Sequence, residues 1–260
     1  MANEQAARQD EKAASSKGLP LFYEAPEPLD AKRHGHLSLA KDIGLGFTAG
    51  INAVPVNMIE MPQICHFYPI AFSPDGNATP VALLGLRDGE NLFLDKAGNW
   101  MEDAYIPAYI RRYPFIFSEL PGGEQLTLCV DMAPRAVNDK DDQKFFDASG
   151  KPTQMANNAL EFCKSYHAAA QQTVAFSKAL ADSGLLVDRS AEITVGEGQK
   201  ISFSGFRIID EAKLAEMADE DFLEWRRNGW LPFVYAHLFS GGQWQRLTTL
   251  LRQRIAGDKK

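Results

Sequence analysis

Short apolar runs separated by turn residues dominate the first half of the chain. Between residues 68 and 131 these runs are YPIAFS, PVALLGL, NLFLD, PFIFSEL and QLTLCVD. Their length and their Gly, Pro, Asn and Asp boundaries predict β-strands. LGFTAGINAVPV (45–56) predicts a further strand near Phe47 to Val54.

A long helix is predicted over residues 156–181. Apolar or small residues recur there mostly at three- and four-residue spacing, in two sets: Leu160, Cys163, His167, Ala170 and Val174, and Phe162, Tyr166, Ala169, Phe176 and Leu180. This spacing gives a helix a broad buried face. Gly184 is expected to end it.

The remainder predicts two strands around residues 196–198 and then a helical cluster after Asp210. Strands, a long helix, a hairpin and helices in this order predict an α+β fold. We expect a mixed, mainly antiparallel sheet in a single domain over residues 19–258. Residues 1–18 carry no large apolar side chain after Met1 and predict a disordered tail.

Asp88-Gly89, between PVALLGLR and ENLFLD, predicts a tight hairpin turn. A type I′ turn needs positive φ at both central positions, which Asp-Gly tolerates. Pro62 predicts a short helix that runs through Cys65, and Pro107 a helix from about Ile106 to Arg112.

Composition excludes several classes of function. The formal net charge of −7 gives no basic face for nucleic acid. Three widely spaced cysteines without a CxxC pair favour a reducing compartment. The N-terminal sequence lacks the apolar core of a signal peptide, and no apolar run reaches the ~18 residues of a membrane-spanning helix. We therefore expect a cytoplasmic protein without membrane insertion.

Catalytic and metal-binding motifs are missing from the sequence. It contains no G-x-S-x-G, P-loop or H-E-x-x-H pattern, so no catalytic residue or cofactor is assigned. His34 and His36 are a close pair without further ligands at metal spacing, so no metal is expected. His167 and His237 lie on apolar helix faces and are expected to be core histidines.

Arg111-Arg112 within IPAYIRRYPFIF (106–117) has two interpretations. Both arginines fall in the last turn of the predicted helix, where the helix dipole favours cations. Alternatively, an anion or peptide binds in a pocket formed by Arg87, Tyr105, Tyr109, Arg111 and Arg112, because arginine and aromatic residues are enriched at interfaces. Helix geometry predicts that Arg112 is the more buried arginine and that Arg111 is free for a ligand.

Two classes of function remain open from the residues. The first is a non-enzymatic binding protein that recognises a protein or a small ligand. The second is an enzyme of unrecognised class, with Tyr105, Arg111 and Arg112 in a cleft with Glu119 or His66. Asp131, like Glu119, ends a predicted strand and could line a cleft.

Six segments, in this order, resemble the SapC family of bacterial proteins. They are INAVPVNMIEMPQICHFYPIAF, PVALLGLRDGENLFLDKAGNW, AYIPAYIRRYPFIF, LTLCVD, GFRIIDEAKL and GWLPFVYAHLFSGGQWQRL. The resemblance runs from about Leu21 to Leu251, and RDGEN and AYIPAYIRRYPF are its most specific parts. It implies a cytoplasmic accessory factor of a bacterial surface or uptake system, and it assigns no chemical role to any residue.

Overall fold

The computed structural model describes residues 18–119, 126–195 and 199–258. Contacts between Cα atoms divide the chain into two compact units. The first unit comprises residues 1–43 and 112–164, and the second comprises residues 44–111 and 165–260. Apart from Gly18, the predicted tail lies outside the described residues, as do residues 196–198, around which the two strands are predicted. The single domain over residues 19–258 stays a prediction.

The secondary structure alternates short elements with one long helix. Helices α1 to α8 are, in chain order, Ala31–His34, Met61–Ile64, Ala108–Arg111, Gln154–Asp182, Glu211–Ala215, Asp219–Arg227, Leu231–Ser240 and Gln243–Asp258. Strands β1 to β10 are Pro26–Pro28, Ser38–Leu39, Ala53–Pro55, Ile70–Phe72, Pro80–Leu83, Phe115–Glu119, Leu126–Asp131, Val137–Asn138, Leu186–Val195 and Gln199–Ile209. Short 3-10 helices lie at Gly46–Thr48 and Met58–Glu60.

The first unit contains two small antiparallel sheets. Strands β1, β7 and β6 form a three-stranded sheet in that order, and β2 pairs with β8. Phe115 and Phe145 are buried with their rings edge to face, the centroids 6.1 Å apart. Aromatic packing of this kind supplies much of the core of a small unit.

The second unit is built on a five-stranded antiparallel sheet with the strand order β3-β5-β4-β10-β9. Strands β9 and β10 pair along most of their length, with a register irregularity between Phe203 and Phe206. Helices α5 to α8 follow the sheet in sequence and belong to the same unit. Both helices and antiparallel sheets are present, which confirms the predicted α+β class.

Helix α4 matches the predicted long helix closely. It begins and ends one to two residues beyond the predicted bounds, at Gln154 and Asp182. Gly184 follows it with a φ of +72°, a conformation that glycine adopts without strain. The predicted apolar face of α4 is buried at Phe176, which packs against the rings of Trp225, Trp230 and Phe233.

Three local predictions need correction. The strand expected near Phe47 to Val54 is replaced by a 3-10 helix at Gly46–Thr48 and the short β3. The helix expected over residues 106–112 is the single turn of α3, Ala108–Arg111, because Pro107 and Pro114 confine it. These short segments carry too few residues for periodicity to fix their state.

The third correction concerns the turn after β5. Gly89 has the predicted positive φ of +73°, but Asp88 does not, so the turn is not type I′. The backbone amide of Leu92 donates to the carbonyl of Leu84 at 2.9 Å, which closes the loop. The NLFLD run that follows forms turns rather than a second strand.

Candidate functional site

Glu60 is a buried carboxylate at the end of the 3-10 helix Met58–Glu60, and its side chain contacts Tyr105 of the predicted site. The residue is only 7% exposed. Its Oε2 accepts the backbone amide of Asn57 at 3.2 Å, half of a capping box. Its Oε1 accepts the backbone amide of Ala108 at 2.7 Å and the Tyr105 hydroxyl at 2.9 Å. Glu60 therefore supplies an acceptor to the first turn of α3, whose amides have no helical partner.

Tyr105 links Glu60 to Arg111. Nη2 of Arg111 donates to the Tyr105 hydroxyl at 2.8 Å, and the guanidinium carbon lies 5.3 Å from the centre of the same ring. Burial raises the pKa of Tyr105, the Glu60 carboxylate raises it further, and Arg111 opposes both. A phenol whose pKa lies above its usual 10 stays protonated at neutral pH, so Tyr105 acts as a hydrogen-bond donor to Glu60 rather than as a base.

Arg111 and Arg112 have different surroundings. Arg111 is exposed and Arg112 half-buried, which is the predicted order of burial. Nε of Arg111 also donates to the carbonyl of Ile106 at 2.9 Å, and the binding of a ligand by Arg111 stays a prediction. The Arg112 guanidinium lies 5.8 Å from the ring centre of Tyr23.

The other predicted residues have separate environments. Tyr109 is buried, and its ring meets Tyr166 edge-on at 6.3 Å. Arg87 forms a two-point ion pair with Glu90, Nε to Oε2 at 2.8 Å, and lines a 490 Å³ cavity at the RDGEN turn. His66 is exposed. The side chain of Glu119 lies outside the described part of the chain.

Asp131, the other candidate carboxylate, is a structural anchor of the first unit. Its side chain is fully buried and accepts the Tyr113 hydroxyl at 2.8 Å and the backbone amide of Ala25 at 2.7 Å. Arg135 holds the same segment through the carbonyl of Phe22 at 2.9 Å. Burial, followed by the contact with Asp131, raises the pKa of Tyr113. These contacts fix the chain before β1 and leave the carboxylate little access to a substrate.

A groove of about 660 Å³ in the second unit lies along one face of α4. Its other walls come from the end of β3 and from the segment between β4 and β5. The α4 wall consists of Tyr166, Ala170, Thr173, Val174, Ser177, Lys178, Ala181 and Asp182, and the opposite walls of Pro55, Val56, Asn57, Gly76, Asn77 and Thr79. We call this the α4 groove.

Buried neutral polar groups line the α4 groove. Asn57, Thr173 and Ser177 are each at most 6% exposed. Thr173 is engaged, since its Oγ1 accepts the amide of Met58 at 2.9 Å and donates to the carbonyl of Ala169 at 2.7 Å. The buried hydroxyl of Ser177 has no hydrogen-bond partner within the described structure.

Hydrophobic periodicity does not predict the roles of Glu60 and Ser177, although the sequence contains one signal for Glu60. The sequence Asn57-Met-Ile-Glu60 has the spacing of a capping box, which marks a helix start. The contact between Glu60 and residues 105–108 spans more than forty positions, so no local pattern reports it. Ser177 lies within the predicted helix, and nothing in the sequence indicates that its hydroxyl lacks a hydrogen-bond partner in the described structure.

The histidines take structural roles or lie at the surface. His34 is buried, and its Nδ1 accepts the backbone amide of Asp30 at 3.1 Å. His237 is a core residue, as predicted, whereas His167 is half-buried and contacts Gln171 at 3.0 Å. Within residues 18–119, 126–195 and 199–258, no group of three or more His, Cys, Asp or Glu side chains could hold a metal ion.

The described helices include none that is both long enough and apolar enough to cross a membrane. A family model described as SapC matches residues 29–247 of the chain. Searches of curated proteins and of solved structures found no match.

Proposed function

The chain belongs to the SapC family, and from that premise we propose that it is a non-enzymatic accessory protein that binds a ligand in the α4 groove. The resemblance described above supports a cytoplasmic role in a bacterial surface or uptake system. The α4 groove carries the binding part of the proposal. Its volume of about 660 Å³ falls within the range of ligand sites, ~300–1,000 Å³.

The lining of the α4 groove suits recognition. Ala170 and Val174 supply aliphatic surface, and Val174 is 68% exposed. Buried amide and hydroxyl groups from Asn57 and Ser177 accompany this surface. Apolar walls with a few placed polar groups are typical of ligand sites.

The chemistry of the same groove favours binding over catalysis. Lys178 and Asp182 are its acid and base, and they pair with each other, Nζ to Oδ2, at 2.7 Å on the exposed rim. A catalytic acid or base is usually held in a desolvated site that shifts its pKa towards its task. Both side chains are mostly exposed, so this pair belongs to the helix surface.

The enzyme alternative has a weaker basis. Tyr105 and Arg111 do meet, and Glu60 joins them, but the contacts of Glu60 hold backbone amides of α3 and the 3-10 helix. The phenol with a raised pKa is a poor base at neutral pH. Arg112 contacts Tyr23 instead. This arrangement supports a structural role for the cluster.

A blocking substitution tests the proposal. Val174→Trp places a large ring in the groove at an exposed position, so folding should be preserved. Gln172→Trp is the matched control, because Gln172 is exposed on the same helix and does not line the groove. Each protein is expressed in native cells, purified without denaturation, and its bound molecules are identified by native mass spectrometry.

We expect at least one species to accompany the unaltered protein and Gln172→Trp, and to be lost from Val174→Trp. Retention of every species by Val174→Trp, with unchanged melting temperature, would show that the α4 groove is not the binding site. A turnover of the bound species by the purified protein would favour the enzyme alternative.

A further inference from the structure

We infer that the ligand of the α4 groove is an extended, uncharged segment of a peptide chain, an inference that rests on the proposed function. Three features of the groove carry it: its charge, its length and the unpartnered hydroxyl of Ser177. The first two argue against ionic and compact ligands, and the third offers a polar contact to the ligand.

The charge of the groove argues against an ionic ligand. Lys178 and Asp182 compensate each other at 2.7 Å, so the ionised side chains of the lining sum to zero. The contact with Asp182 raises the pKa of Lys178. An anion would compete with Asp182 for the ammonium group and meet its repulsion. A neutral ligand has no such conflict.

The length of the groove argues against a compact ligand. Its lining runs along α4 from Tyr166 to Asp182, which is about 24 Å at 1.5 Å per residue. An extended peptide rises ~3.3 Å per residue, so about seven residues could lie along the whole wall. Tyr166 is the one aromatic side chain of the lining, and its ring already meets Tyr109. Aliphatic walls suit the side chains of a peptide better than the faces of a sugar ring.

The Ser177 hydroxyl can donate a hydrogen bond to a ligand or accept one from it. The residue is 4% exposed and its hydroxyl has no hydrogen-bond partner in the described structure. An unsatisfied buried hydroxyl is unfavourable, so a ligand acceptor there gains a hydrogen bond without breaking another. Serine has one side-chain torsion with three staggered positions, which lets its oxygen turn towards a ligand. A peptide carbonyl is a neutral acceptor of the required kind.

The edge strand β3 explains why side chains would carry this recognition. Peptides often bind by adding a strand to an exposed sheet edge. In β3, Pro55 lines the groove and has no backbone N–H to donate. Pro55 therefore cannot donate to a peptide at this edge, and the side chains of Asn57 and Ser177 can supply donors instead.

An NMR titration of the full chain tests the inference. The probe is the blocked peptide acetyl-Ala-Val-Gly-Val-Ala-amide at millimolar concentration. Maltose provides a compact neutral comparison, and acetyl-Asp-Val-Gly-Val-Asp-amide an anionic one. We expect the neutral peptide to shift the backbone amides of the groove lining. It should also shift those of Gln172→Trp but not those of Val174→Trp.

Ser177→Ala separates recognition from structure. It should raise the Kd of the neutral peptide roughly threefold to tenfold, the effect of losing one neutral hydrogen bond. Its melting temperature should not fall, because the hydroxyl has no protein partner to lose.

Tighter binding of maltose or of the anionic peptide would overturn the peptide inference and leave the groove as a ligand site. Absence of binding by the neutral peptide would overturn it as well. The proposed function itself fails only if Val174→Trp also retains every species found in the native preparation. An unchanged Kd in Ser177→Ala would remove Ser177 from the recognition.

Discussion

The Tyr105 hydroxyl donates to Oε1 of Glu60 at 2.9 Å, between residues 45 positions apart in sequence. The same oxygen accepts the amide of Ala108. A single buried carboxylate thereby joins the 3-10 helix before α2 to the segment that contains Arg111. These two contacts stabilise the AYIPAYIRR segment, in which α3 has only one turn.

Glu60→Gln should lower the free energy of unfolding by about 1–3 kcal/mol, because the new NH2 group would face backbone or hydroxyl donors. Tyr105→Phe should cost less, about 1 kcal/mol, since one donor to Glu60 is lost. Urea denaturation at pH 7 measures both. His66→Gln is the control, because His66 is exposed. Equal stability of Glu60→Gln and the unaltered protein would contradict the role of the carboxylate.

Arg112→Ala should destabilise the protein more than Arg111→Ala. Arg112 is half-buried over Tyr23, and its removal should cost about 1–3 kcal/mol through lost packing and ring contact. Arg111 is exposed, so the loss of its contacts should cost less than ~1 kcal/mol. Thermal and urea unfolding of both variants give the order. The reverse order would show that the contacts of Arg111 with Tyr105 and Ile106 dominate.

Gly85, which lies two residues before the RDGEN turn, and Gly89, which lies within it, should respond differently to alanine. A Cβ at Gly85 would lie 2.0 Å from the carbonyl oxygen of Glu90, so the backbone must move. A Cβ at Gly89 meets nothing within 4 Å, but its φ of +73° is strained for alanine by about 1–2 kcal/mol. Gly85→Ala should therefore be the more destabilising substitution in urea unfolding. Gly89→Asn should be tolerated better than Gly89→Ala, and a failure of either order would refute this account.

His237 should make the protein less stable in mild acid. Burial lowers its pKa from 6.5 to about 4, and its Nε2 accepts the backbone amide of Ile209 at 3.1 Å. Below pH 6.5 the unfolded chain binds a proton that the folded protein excludes, so stability falls as the pH drops towards 4. The total effect should be about 3 kcal/mol.

The measurement is urea unfolding between pH 7 and pH 5, where His237 contributes and most carboxylates remain ionised. His237→Gln keeps a hydrogen-bond acceptor but cannot titrate, so its stability should depend less on pH. If the free energy of unfolding depends on pH equally in the two proteins, His237 is not the titrating group.

The sequence predicts elements well where many residues repeat one pattern. Helix α4 has enough turns for its apolar spacing to outweigh local exceptions, and β9 and β10 are long alternating strands. Around Phe47 and in the turn of α3, a few residues decide the structure, and tertiary contacts override propensity. Asp88 illustrates the same limit, because its turn adopts another type.

The candidate site was less predictable, since its contacts are long-range. Arg87, Tyr109, Arg111 and Arg112 are adjacent to apolar or aromatic residues in sequence, but each side chain has its own partner. Composition favours arginine and aromatic residues at interfaces without saying which of them meet. No local sequence pattern predicts the role of Glu60, because its carboxylate contacts residues more than forty positions later.

The strand order of the second unit also governs how the chain can fold during its synthesis. In β4, Phe72 pairs with Arg207 of β10. This edge of β4 therefore stays unpaired until the ribosome has synthesised β10. At 5–20 residues per second, a ribosome needs roughly 7–27 s to pass from one residue to the other. During that interval this edge of β4, which has the apolar sequence IAF, can pair with an incorrect strand. A chain cut short before β10 would keep this edge open permanently and would be a substrate for chaperones and proteases.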